Sequence, residues 1–242
     1  MMIGEKIISF SEIDSTNKFA IENLDRLPYG TVIWSLSQTF AYGRYGRSWS
    51  SGDGGLWFSI IFKPLQITEP NAYTKLLSVA VVETVRDLKY RNAQIKWPND
   101  ILIDGKKVAG ILTESVFAGE RLKGIVVGVG LNVNNELPKE LLSSATSLSY
   151  LKNEYIPLNL LIEKILRRVE VLRKKYMIKG KTKYLTRRWK KLQAFVEGDE
   201  ITVSLNENEK LTGIIKRISP VSLQLQSYDG EIHNVVSGEI IL

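Results

Sequence analysis

The 242-residue chain contains no cysteine and one histidine, His233. The first absence excludes disulfides, thiolate metal sites and a thiol nucleophile. The second leaves little from which to build a histidine-based nucleophile pair, and His233 reads as a structural or exposed residue. No stretch approaches the roughly 18 consecutive apolar residues that a membrane span needs, so no membrane partner is expected. The opening MMIGEKIISFSEIDSTN has no apolar core of signal-peptide length and carries Glu5 and Glu12. The cytoplasm is therefore the default compartment. Internal repeats and low-complexity tracts are missing too, as are the Gly-Lys-Ser/Thr ending of a phosphate-binding P-loop and the glycine fingerprint of dinucleotide folds.

What is present suits a soluble globular protein: 44% hydrophobic and 24% charged residues. The length allows one large domain, or a main domain and a small one. The net charge of +7 fits either a solvated basic face or attraction to polyanions. Much of the surplus lies between Arg167 and Lys191. Within and before that run, Leu161, Ile162, Ile165, Val169, Leu172 and Tyr176 recur at helical spacing, which assigns the charges to the outer face of a packed helix. No nucleic-acid partner is expected.

Patterning predicts strands at Lys6–Phe10, Thr31–Gln38, Leu56–Phe62, Gln94–Trp97, Ile101–Ile103, Lys107–Val116 and Ile125–Val133. Asp104-Gly105 is a two-residue hairpin signal, and the almost unbroken apolar run at 125–133 reads as a strand buried on both faces. Helices are predicted from about Ser15, with Ser15 as a cap, and over Asn71–Lys89, Lys139–Leu151, Asn159–Met177 and Tyr184–Leu192. Hairpins mixed with helices, without repeating βαβ units, indicate an α+β fold: a mixed, mainly antiparallel sheet with helices on one face. Beyond Val196 short strands alternate with turns, as in a small all-β barrel. The expected division is 1–195 and 196–242.

Three segments could carry chemistry. In Gly43-Arg44-Tyr45-Gly46-Arg47-Ser48-Trp49, glycines let backbone N–H groups approach an anion and arginines supply forked donors. Such a loop can equally be a linker. Lys96-Trp97-Pro98-Asn99-Asp100 fixes an ammonium at a sheet rim, or simply ends a strand with a solvated lysine. Gly128-Val129-Gly130-Leu131-Asn132-Val133-Asn134 has glycines where a ligand or backbone comes close and an asparagine amide able to read an adenine edge; a bulged strand entering a turn is the alternative.

Taken together and in order, Ser15-Thr16-Asn17, Gln38 with the glycine–arginine loop, KWPND, KKVAGIL (Lys106–Leu112) and GVGLNVN resemble the biotin–protein ligase family over nearly the whole chain. The terminal strands resemble that family's Src-homology-3-like domain. The resemblance implies ATP-dependent attachment of biotin to a lysine of a biotin carboxyl carrier protein through biotinyl-5'-AMP, with ATP and biotin as substrates and Mg2+ accompanying ATP. It implies that Ser15, Thr16 and Gln38 bind the ureido end of biotin, with Asn17 close by. Tyr42, Gly43 and Arg44 would lie along its tail, with Gly110 beside the ligand. Arg47 and Trp49 would serve the ATP side, Asn132 would bond adenine, and Lys96 would stand where carboxylate and α-phosphate join. Lys96, Arg44 and Arg47 would be catalytic, and no metal ligand is assigned. In the family the loop commonly begins Gly-Arg-Gly-Arg or Gly-His-Gly-Arg; here it reads Ala41-Tyr42-Gly43-Arg44. Ser15-Thr16 comes so early that a form without an N-terminal DNA-binding domain is expected, and a homodimer is compatible with the family. The alternatives are a lipoate–protein ligase-like enzyme using the same adenylate logic, or a basic nucleic-acid-binding module.

Overall fold

A computed structural model describes residues 2–63, 69–206 and 208–241. Seven strands make the main sheet: β1 (Ile7–Ile13), β2 (Val32–Gln38), β3 (Leu56–Phe62), β4 (Ala93–Lys96), β5 (Asp100–Ile103), β6 (Lys106–Ala118) and β7 (Arg121–Leu131). Their order is β1-β2-β3-β7-β6-β5-β4. β1 and β2 run parallel, and every other neighbouring pair is antiparallel. The helices are α1 (Thr16–Glu22), α2 (Pro70–Asp87), α3 (Leu148–Lys152), α4 (Leu158–Leu172) and α5 (Thr182–Lys190). A second sheet, wholly antiparallel, contains β8 (Glu200–Ser204), β9 (Lys210–Ile218), β10 (Leu223–Gln226), β11 (Ile232–Val235) and β12 (Glu239–Ile241), in the order β11-β10-β9-β8-β12. The fold is therefore α+β. Among the described residues no helix is long and apolar enough to cross a membrane.

The helices do not all lie on one face of the main sheet. Along β3 the residues alternate: Phe58, Ile60 and Phe62 join the large core under α2 and α4, whereas Ile61 joins Ala20 and Leu24 of α1 in a separate cluster with Val126. A strand whose neighbours bury both faces reads as a continuous apolar run, and this alternation is invisible in it. α1 begins where expected because Ser15, in extended conformation, accepts a hydrogen bond from Lys18 N through its side chain. α2 starts at Pro70, whose fixed φ suits a first helical turn.

Two elements differ from their sequence reading. The expected helix over Lys139–Leu151 is a three-residue 3-10 turn at Lys139–Leu141 followed by α3. Between them Lys107 N donates to Ser144 O and Thr146 N to Lys107 O, at 2.8 and 2.9 Å. The segment thus pairs with the start of β6 and gives up the bonds a helix would require. β12 was not anticipated; three residues are too few to show a pattern, and they become a strand by pairing with β8. The basic run behaves as expected. Leu161, Ile165, Val169 and Leu172 are buried, while Arg168 pairs with Glu83 and Asp87, and Arg188 with Glu83.

The α1 face of the main sheet has a glycine floor. Gly110 of β6 stands opposite Gly130 of β7, and Leu112 opposite Gly128; Ser59 of β3 flanks Gly128 on the other side. Period-2 alternation puts Gly110, Leu112 and Glu114 on this one face. The N-terminus of α1, the 39–55 loop and β12 surround it.

Candidate active site

These elements enclose a cleft of about 640 Å³, a size suited to a small-molecule site. Ser15, Thr16, Asn17, Gln38, Tyr42, Gly43, Arg44, Arg47, Trp49, Lys96, Gly110 and Asn132 all line it. The structure therefore brings together every site residue named from the sequence, although those residues span five separate segments of the chain.

One end is polar and uncharged. Thr16 donates to Gln38 Oε1 through its backbone N–H at 2.8 Å and through its hydroxyl at 3.1 Å. Gln38 Nε2 donates to Ser51 Oγ at 3.1 Å, so the glutamine amide is held in one orientation. Behind Thr16, buried Ser59 reaches Asn17 Oδ1, and Asn17 Nδ2 donates to Glu114 Oε2, both at 2.6 Å. A Cβ on Gly128 would collide with the Asn17 amide. Tyr42 anchors the loop by donating its hydroxyl to Glu114, 3.1 and 3.2 Å from the two oxygens. Burial, reinforced by the Glu114 charge, pushes the Tyr42 phenol up to about 12, so it stays a neutral donor.

The other end is cationic. Lys96 ends β4 and is buried; its Nζ stands 3.7 Å from Asp100 Oδ2 and 3.4 Å from Glu239 Oε1, and donates to Ile240 O at 3.1 Å. Arg47 reaches the other oxygen of Glu239 at 2.6 Å. Arg44 donates to Gly238 O at 3.1 Å and to Tyr45 OH at 2.9 Å, and Tyr45 in turn meets Ser237. Burial works to raise the pKa of Glu239, but the Arg47 hydrogen bond and the Lys96 charge outweigh it and hold the carboxyl below its ordinary range. The Asn99 side chain fixes the turn before β5 by donating to Ile111 O, while Ile111 N donates to Asn99 O. That pins the KWPND corner against β6.

Between the ends lies Trp49. Its ring lies across the glycine floor: a Cβ on Gly110 would come 3.0 Å from it and one on Gly130 2.7 Å. The Lys107 ammonium stands 5.0 Å from the ring centroid. Asn132 is buried at the cleft wall, donating one amide hydrogen to Thr146 O at 3.2 Å and accepting from Asn135 at 3.3 Å. A second N–H and a lone pair remain for a ligand.

Sequence reasoning overlooked Asp100, Lys107, Ser59, Glu114 and Glu239. Asp100 and Lys107 lie within KWPND and KKVAGIL, whose pattern alone does not say that their side chains meet. Lys107 pairs with buried Asp100 at 2.8 Å, whereas the adjacent Lys106 points to Leu142 O. Strand alternation separates these two lysines, yet which one faces the cleft follows only from the β5–β6 register. Glu239 had no signal; its role depends on β12, a strand the pattern did not reveal.

Comparison with known proteins agrees with this geometry. The profile of the "Biotin/lipoate A/B protein ligase family" matches residues 9–132, which span β1 through Asn132. The Bifunctional ligase/repressor BirA of Bacillus subtilis is 38% identical over 187 residues, covering 75% of this chain and 58% of that protein. The chain thus matches less than two thirds of that relative's length. The BirA of Escherichia coli is 27% identical over 245 residues, covering 99% of this chain and 74% of the relative. Among solved structures, a biotin protein ligase from Aquifex aeolicus in complex with biotin and ATP superposes with a TM-score of 0.83 at 28% identity, covering 98% of each chain. The chain belongs to the biotin/lipoate A/B protein ligase family.

Proposed function

We propose that this protein is an ATP-dependent biotin–protein ligase that acylates a lysine of a biotin carboxyl carrier domain by way of biotinyl-5'-AMP. One observation carries the reading: Arg44, Arg47 and Lys96 converge on one end of a cleft whose other end is a rigid, uncharged hydrogen-bonding wall. A bifunctional ligand, polar head one way and carboxylate the other, fits that polarity.

A carboxylate must be activated before an amine can displace anything from it. Biotin's carboxylate oxygen attacks the α-phosphorus of ATP, and the α–β bridging P–O bond breaks to release pyrophosphate. The carrier's neutral amine then attacks the acyl carbon, the acyl–O bond breaks, AMP leaves, and the amine loses a proton. Neither step needs a protein nucleophile, in keeping with a chain without cysteine. Both need positioning and neutralisation of negative charge. Lys96, supported by Asp100, stands where carboxylate and α-phosphate would meet. Arg44 sits between it and the ligand tail, and Arg47 lies toward the outer phosphates. Lys107 adds a fourth cation to this end. Ser15, Thr16 and Gln38 serve the ureido head, with Asn17 and Tyr42 held behind them through Glu114. Gly43 and Gly110 leave room along the tail, while Trp49 covers the ligand and Asn132 bonds adenine. Mg2+ enters with the triphosphate as part of that substrate, and we assign it no protein ligand.

We read residues 1–195 as the ligase domain and 196–242 as a Src-homology-3-like barrel that covers the cations, and we place the enzyme in the cytoplasm, compatible with a homodimer. A lipoate substrate is disfavoured by the head end: a dithiolane has no N–H or carbonyl to engage the polar wall of Ser15, Thr16 and Gln38, and covering a polar wall with an apolar ring is unfavourable. Mass spectrometry of an acceptor domain incubated with biotin, ATP and this protein tests the proposal. The expected result is the mass of one biotinyl group on lysine, with pyrophosphate release that depends on biotin. A lipoyl mass instead, or no biotin-dependent pyrophosphate, would overturn it.

A further inference from the structure

We propose that a second cavity, beside the KWPND corner, receives an acidic side chain of the carrier protein, whose carboxylate pairs with Lys75. The inference rests on the biotin reading and deepens it, giving the carrier a contact outside the main cleft.

The cavity measures about 210 Å³ and lies where α2, α5 and the connections of the second sheet meet the corner. Arg44, Asn99, Ile111 and Leu112 line both this space and the main cleft, so the two adjoin near the cationic end. That is the end at which an acceptor lysine has to arrive. Pockets for whole small-molecule ligands begin at roughly 300 Å³. A smaller space suits one side chain reaching in from a larger partner.

Its floor is made of donors. Lys75 of α2 is 7% exposed, and among the described residues its ammonium bonds only the Thr186 hydroxyl, at 2.9 Å. An ammonium carries three hydrogens, so two remain without a partner there. Glu69, at the exposed start of α2, attracts Lys75 without forming an ion pair with it. Trp189 of α5 is 1% exposed, and its indole N–H has no partner among the described residues. No lining residue is acidic. A buried cation is costly unless an opposite charge meets it, and this chain brings none to the cavity among its described residues.

The remaining surface selects among anions. Trp97 and Pro98 supply apolar wall, and exposed Val221 and Val236 form an apolar rim. Arg44, the other cation at the boundary, is already engaged by Gly238 O and Tyr45. One ammonium balances one negative charge. Pyrophosphate, released close by, would bring several charges into this apolar surrounding and leave most of them unpaired. A single carboxylate on a short hydrocarbon stem matches both the donors and the walls, and that is the chemistry of a glutamate or aspartate side chain.

Steady-state biotinylation of a biotin carboxyl carrier domain by the full chain and by Lys75→Met provides the test. Biotin-dependent pyrophosphate release without carrier and thermal melting are measured alongside. Lys75→Met is expected to raise the KM for the carrier at least tenfold, as when one partner of a buried charge pair is removed. Its kcat at saturating carrier, its pyrophosphate release and its fold should be retained. On the carrier side, each Asp or Glu flanking the acceptor lysine is changed in turn to Asn or Gln. One of these changes should raise the KM about tenfold with the wild-type ligase and add little with Lys75→Met, because both remove the same contact. An unchanged carrier KM in Lys75→Met would overturn the proposal, and a Tm shift of the wild type by butyrate would then assign the cavity to a free acid. A raised KM with no carrier acid coupled to Lys75 would also overturn it, since a diffuse charge effect adds independently to every carrier change. Absence of biotin-dependent pyrophosphate release from the wild type is a separate outcome, which overturns the substrate reading and this inference with it.

Discussion

At the scale of single residues, the cationic end of the cleft is organised around Lys96. Its ammonium is buried and touches two carboxylates and a carbonyl, so its position is fixed before any ligand oxygen arrives. Such preorganised charge is most effective where negative charge develops. Lys96→Ala is expected to slow biotin-dependent pyrophosphate release roughly a hundredfold; turnover close to wild type would remove Lys96 from its assigned role. The floor is equally specific. A methyl group on Gly130 would lie 2.7 Å from Trp49 Nε1, and the ring, backed by the sheet, would have to lift. Gly130→Ala should therefore release the loop that Trp49 tethers and speed proteolysis within residues 41–55. Cleavage at the wild-type rate would show that the ring does not hold the loop. The motif residues were legible because glycine, arginine and lysine in loops are few and distinctive. Ser59 and Glu114 were not, because a serine in an apolar strand and a glutamate in a hairpin carry no mark of which face they occupy.

At the scale of elements, β12 matters more than its three residues suggest. Glu239 bridges Arg47 and Lys96, the cations that would otherwise meet the triphosphate. Two anions competing for one set of partners weaken each other's binding. Glu239→Gln should accordingly lower the KM for ATP several-fold, on the order of the 1 kcal/mol that a partly exposed ion pair contributes, and an unchanged or higher KM would assign Glu239 to orienting the cations instead. On the opposite side of the sheet, α2 carries Lys75, almost fully buried and bonded to Thr186 of α5 at 2.9 Å. Burial lowers its pKa, so the unfolded chain holds this proton more tightly than the folded one. Stability therefore rises as pH climbs through the folded value toward the unfolded one. Lys75→Met should raise Tm at neutral pH by roughly 3 °C and lose that alkaline gain; thermal melts at neutral and alkaline pH check both parts. Elements with long periodic patterns, α2 and α4 among them, were readable from sequence. The 139–151 segment was not, because its helical propensity yields to pairing with β6.

At the scale of the whole molecule, the second sheet is tied to the first at the KWPND corner. Ile95 of β4 bonds Leu192 and Ala194 through its backbone, and Trp97 Nε1 donates to Ser219 O at 3.1 Å. The chain thus delivers residues 237–241 directly over Arg44, Arg47 and Lys96. Deleting residues after Glu197 should reduce carrier biotinylation by at least tenfold, since Arg44 and Lys96 lose the Gly238 and Ile240 carbonyls that fix their positions, charge-assisted bonds of roughly 1.5–3 kcal/mol each, while biotin binding at the far end changes little. Calorimetry with biotin and carrier turnover, measured on the same truncated protein, separate the two. Equal turnover with and without the second sheet would make it dispensable.

The sequence by itself determined which residues could do chemistry and most of the elements that carry them, because glycine-rich loops, caps, hairpin turns and apolar periodicity act over a few neighbouring residues. Only the tertiary structure decided which partners those residues have. That Glu114 sits behind Asn17, that Asp100 selects Lys107 over Lys106, and that Glu239 lies across Lys96 and Arg47 all follow from strand register and from the packing of two sheets. Register is set by pairings between segments far apart in the chain, and local pattern holds no record of them.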